Sequence, residues 1–252
     1  MACCRKINLL RTSKLALLSS IPQVGRVHHR VPAAAAAGLL RHCSSSSAHD
    51  NASRYPVPPK TDLPNDIVEV MDEVETKGGF LPNVFKALSH RPEEFRAFFS
   101  YYNALMNKET GNLSKADREL IVVATSAHNH CLYCVISHSA LHRIYSKKPN
   151  LADQVAVNYG TADLSPREHA ILDFAMTVCR SENVTEGHFR TLQEHGLDSE
   201  DAWDIAAIAA FFAMSNRLAH LTDMRPNAEF YNMGRMPRDK GGKGDKGKGG
   251  SG

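Results

Sequence analysis

Two cysteines, Cys131 and Cys134, stand a C-x-x-C spacing apart, and His138 follows the second by four positions. Thiols at this spacing have a definite chemistry. Placed in the first turn of a helix, they come within disulfide range, roughly 4.4–6.8 Å between Cα atoms. Read as a helix from Cys131 onward, the stretch puts Cys134 about 60° from Cys131 on the wheel and His138 about 20° from Cys131, with His142 one turn further along the same stripe. The unpaired amides and positive dipole end at a helix N-terminus favour a thiolate. A histidine four residues beyond Cys134 can take its proton or, once charged, steady its anion. Such a pair can cycle between dithiol and disulfide. A peroxide oxidises one thiolate to a sulfenic acid, and the second thiol condenses with it.

Other chemistries fit the same residues less well. The pair as two small buried hydrophobes is one alternative. Metal is another, because Cys131, Cys134, His138 and His142 all have ligand chemistry and His128 and His130 are close. Four residues along one helical stripe, however, span about 16 Å and cannot converge on one tetrahedral ion, so zinc needs a second element such as Glu119 or His128. A c-type haem is excluded in its usual form, since Val135 stands where C-x-x-C-H requires histidine. No resident cofactor is implied.

The elements that must position these groups read as helices. Ile67, Val70, Met71 and Val74 recur at helical spacing and Gly78-Gly79 closes that helix; Pro82 opens the next segment, and Pro92 sits in a first turn ahead of Phe95, Phe98, Phe99 and Tyr102. That aromatic stripe is core, or the lining of an apolar substrate pocket. Three later segments open alike, with Ser114, Ser165 or Asp198 as cap and Asp117, Glu168 or Asp201 three residues on, the pattern of a capping box. Glu119 falls in the first turns of the helix predicted over 114–127, where an acid is favoured for the dipole alone. The Ala-rich segment 202–214 reads as a central helix or part of a subunit interface. Cys179 and Trp203 read as core packing, and His142 as a solvent-facing group or a helix C-terminal charge.

Charge is unevenly spread. Residues 1–49 hold seven Lys or Arg and no acid, while residues 50–234 hold 17 basic against 25 acidic side chains, a balance of −8. An acidic body argues against a nucleic-acid groove. The Arg- and Ser-rich, acid-poor leader reads as an organellar presequence, a mitochondrial one first. It holds Cys3, Cys4 and Cys43, leaving three cysteines for the body, too few for a disulfide framework. The expected organisation is therefore a transit peptide over 1–50, one helical domain over 51–234 and a disordered Gly/Lys tail over 235–252. No apolar stretch approaches the ~20 residues of a membrane span.

The spacing of Glu119, Cys131, Cys134 and His138 resembles the signature of the AhpD-like alkylhydroperoxidases of the carboxymuconolactone decarboxylase superfamily, and more narrowly its peroxidase-related branch. Further stretches carrying the likeness are Gly79–Val84, Leu113–Glu119, Ala162–Glu168 and Asn216–Ala219, so that it covers about residues 56–232. The resemblance implies an all-α, AhpD-like domain with the cysteine motif opening a core helix, assembled as a homo-oligomer. It implies a thiol peroxidase acting on alkyl hydroperoxides, with Cys134 as the peroxidatic nucleophile, Cys131 as its resolving partner, and His138 with Glu119 as a proton relay. It also implies an external dithiol reductant such as a lipoyl-bearing protein. Glu119 enters by this likeness alone. Tyr133 departs from relatives that carry histidine there; its hydroxyl titrates near ~10 and makes a poor base. The other readings that the residues leave open are a general thiol–disulfide oxidoreductase and a non-catalytic metal-binding or assembly protein.

Overall fold

A computed structural model describes residues 52–235. The predicted leader, and the tail apart from Arg235, lie outside these residues. The described part is all helical: α1 (Asn65–Gly78), α2 (Asn83–Leu88), α3 (Pro92–Met106), α4 (Lys115–His128), α5 (Leu132–Ser146), α6 (Leu151–Asn158), α7 (Pro166–Cys179), α8 (Glu186–Glu194), α9 (Ser199–Thr222) and α10 (Glu229–Asn232), with two short 3-10 turns and no strand among the described residues.

The local signals act where the sequence puts them. Gly79 closes α1 at φ 79°, its amide bonded to Glu75 O at 2.8 Å, and Pro92 occupies the first turn of α3. Each of the three serine or aspartate caps forms the reciprocal box: Ser114 with Asp117, Ser165 with Glu168, and Asp198 with Asp201. Such caps hold orphan amides at helix starts and contribute about 1 kcal/mol each.

The core is built around α4, which packs against α5, α7, α9 and α6. Its Leu120, Ile121, Val122 and Val123 are all buried, so apolar contacts surround the helix instead of marking one face. The Ala-rich segment is central as expected: α9 buries Ile205, Ile208, Ala209 and Phe212 along one stripe. It is also long and apolar enough, by length and composition, to cross a membrane, with half of that stretch buried inside the protein. Trp203 corrects the expectation of packing. It is 71% exposed because it lies about 200° around the helix from Ile205, on the opposite face. A second cluster, with Ile67 and Met71 of α1, Leu81 of the connection to α2 and Phe95 of α3, closes the N-terminal side.

Candidate active site

Helices α4 and α5 form an antiparallel hairpin joined by Asn129–Cys131. At its tip Cys131 N donates to Ser126 O at 2.9 Å. Further along, the carboxylate of Glu119 lies 2.6 Å from Nδ1 of His138, both groups buried. Nδ1–H donates to the carboxylate, which leaves Nε2 as the nitrogen available for other work. The hairpin turn is tight: His130 adopts φ 55°, a region that non-glycine residues seldom enter.

Helix α5 begins at Leu132, one residue later than the wheel assumed, so Cys131 is its N-cap, with extended backbone at φ −87°, ψ 96°. From that position its sulfur faces the amide and the thiol of Cys134. Hydrogen bonding from the Cys134 thiol, reinforced by that amide, draws the Cys131 thiol down to about 6 against the opposing effect of burial. Cys134 moves the other way, pushed well up by the neighbouring Cys131 sulfur and by burial. The pair's negative charge is thereby drawn toward Cys131.

Access divides the two sulfurs differently. A cavity of about 120 Å³ is lined by Cys134 and His138, with Phe98, Phe99, Tyr102 and Phe212 among its walls. Phe98, Phe99 and Tyr102 thus line a pocket, while Phe95 is core. Ser215 Oγ lies 4.0 Å from Cys134 Sγ. A larger cavity of about 530 Å³ between α3 and α9 holds none of the predicted site residues and shares Phe98 with the smaller one.

Several neighbours carry roles that the sequence did not assign. Asn216 of α9 is fully buried, donates to Ser126 Oγ at 2.9 Å and accepts from Asn129 Nδ2 at 2.9 Å, and its side chain favours the ionised form of both cysteines. It belongs to a stretch that carries the family likeness, but its role depends on contacts between helices distant in sequence. Tyr133 is buried and its hydroxyl accepts from Val84 N at 3.2 Å, so it ties the cysteine turn to α2; burial raises its pKa far above the ordinary value. His142 is buried, not solvent-facing, because α5 is packed on several sides; desolvation lowers its pKa to about 4. Cys179 is half-buried against the core, with its sulfur 3.8 Å from Asn129 Nδ2. Among the described residues no three His, Cys, Asp or Glu side chains converge as metal ligands.

A profile of the Carboxymuconolactone decarboxylase family matches residues 92–150, the span of α3, α4 and α5. An AhpD-core, peroxidase-related protein of uncharacterised function from Ralstonia eutropha JMP134 is 60% identical, with 75% of this chain and 99% of that one covered at a TM-score of 0.73. The chain belongs to the AhpD-like, peroxidase-related branch of the carboxymuconolactone decarboxylase superfamily. A second AhpD-like relative, a peroxidase-related protein from Silicibacter sp. TM1040, is 37% identical over 73% of this chain and 96% of that one, at a TM-score of 0.69. The debrominase Bmp8 shares the AhpD-like fold at 23% identity, with 70% of this chain and 93% of that one covered and a TM-score of 0.56. No curated protein matches significantly.

Proposed function

We propose that this protein is a thiol peroxidase that reduces alkyl hydroperoxides through a Cys131/Cys134 dithiol–disulfide cycle. The observation that carries the reading is the buried Glu119–His138 pair, whose histidine lines the same aromatic-walled cavity as Cys134. The cavity suits a small apolar peroxide, and access makes Cys134 the sulfur that meets it. The Cys134 proton passes to the Cys131 sulfur to which it is hydrogen-bonded. The Cys134 thiolate then attacks the peroxide, the O–O bond breaks, and a sulfenic acid and an alkoxide form. His138, its imidazolium steadied by Glu119, protonates the alkoxide. Cys131 next attacks the sulfenic sulfur, the disulfide forms and water leaves. An external dithiol, a lipoyl-bearing protein among the candidates, restores the pair.

Two further parts of the reading rest on other features. The acid-free basic leader supports a mitochondrial address. Trp203, Met214 and Leu221, exposed on one face of α9, support assembly with further copies of the chain. A general thiol–disulfide oxidoreductase is the second reading, favoured by the low pKa of Cys131.

The test is peroxide-dependent turnover with dihydrolipoamide as reductant. Wild type turns over and loses two thiols per equivalent of cumene hydroperoxide, Cys134→Ser does not turn over, and Glu119→Gln slows about 10²-fold. Equal rates for wild type and Cys134→Ser overturn the assigned nucleophile. Activity on a protein disulfide with none on peroxides selects the second reading.

A further inference from the structure

The aromatic cavity meets the cysteine pair from one side, at Cys134. On the other side a separate cleft of about 110 Å³ reaches Cys131, and its lining includes His130, Leu132, His220, Asp223 and Arg225. All five of these residues are exposed, and the buried Cys131 lies at the bottom. Tyr133 lines both spaces and stands between them. The cleft is polar where the cavity is aromatic: Arg225 pairs with Asp223 at 2.9 Å, and His220 Nε2 donates to Asn129 O at 2.9 Å.

We propose that this cleft is where a dithiol reductant reaches the oxidised protein, attacking Sγ of Cys131 while peroxide is confined to the Cys134 side. This rests on the peroxidase reading above. In the first step a reductant thiolate bonds to Cys131 Sγ, the Cys131–Cys134 bond breaks, and Cys134 leaves as a thiolate that takes a proton from His138, which has regained from solvent the proton it gave to the alkoxide. In the second, the other reductant thiol, deprotonated, attacks the reductant sulfur of the mixed disulfide. Cys131 leaves as the thiolate, and the reductant, two electrons poorer, closes to its own disulfide. Cys134 is the poorer leaving group and is the one beside a proton donor. Cys131 departs second, beside the reprotonated Cys134 thiol whose hydrogen bond stabilises its charge. Attack at Cys134 would release Cys131 first but requires a polar dithiol to cross the aromatic cavity. The cleft has room for about four waters' share of volume, which fits the end of a dithiol-bearing arm or a small free dithiol and excludes a folded surface.

The experiment uses the full chain, oxidised with diamide so that its disulfide does not depend on peroxide chemistry. Reaction with 2-mercaptoethanol, acid quenching and peptide mass spectrometry locate the first mixed disulfide. An adduct on Cys131 is expected; an adduct on Cys134 overturns the proposal. In parallel, reduction rates are compared for anionic mercaptoethanesulfonate and cationic cysteamine. Arg225→Glu, at an exposed position, shifts the ratio of the two rates toward cysteamine by about tenfold; an unchanged ratio overturns the location. If peroxide fails to oxidise the pair while diamide does, the peroxidase reading fails and the assignment of the reductant's side is still decided.

Discussion

The Cys131 thiol is held low chiefly by its hydrogen bond from Cys134, so its titration should report on that neighbour. Peptide-resolved iodoacetamide labelling of the reduced protein is expected to show a Cys131 midpoint near 6. In Cys134→Ala that midpoint should rise toward the ordinary value of 9.0; a midpoint that stays in place would assign the effect to the helix N-terminus instead. At this scale the C-x-x-C spacing and His138 could be read from the sequence because one helix turn fixes them. Glu119 could not, since its contact with His138 depends on how two helices align, and a single-helix wheel carries no such information. The same limit hid Asn216, and it led to the wrong exposure for His142, whose neighbours come from other helices.

Helix ends were the most legible feature of the elements, because caps, glycines and prolines act through bonds within a few residues. The predicted boxes at Ser114, Ser165 and Asp198 all form. What joins the helices was not legible. Arg118, fully buried on α4, donates to Leu105 O at 2.9 Å and to Asp204 of α9 at 3.0 Å, and Lys108 reaches the same carboxylate at 2.9 Å. Nothing in the local pattern distinguishes Arg118 from a surface arginine of a capped helix. Removing its partner strands a charge in the core. Asp204→Ala should therefore destabilise the fold by about 3–5 kcal/mol, measured by urea denaturation. Ser114→Ala, which removes only a cap, should cost about 1 kcal/mol.

For the molecule as a whole, His142 sets an acid limit. Its folded pKa of about 4 lies below the ordinary 6.5, so between these values the unfolded chain binds the extra proton and stability falls as pH drops. The loss begins below pH 6.5, is complete near pH 4, and amounts to about 3 kcal/mol. Urea denaturation across that range should show the slope, and His142→Leu should remove it. The all-α architecture was legible from apolar periodicity, whereas the exposed face of α9 was not, because Ala-rich helices carry little contrast between faces. Tyr133, the wall between the cavity and the cleft, has a consequence for steady-state kinetics. If oxidant and reductant use opposite sides of it, neither blocks the other's approach. Excess dithiol then raises turnover to a plateau without substrate inhibition, and the double-reciprocal lines stay parallel at high concentrations of both substrates.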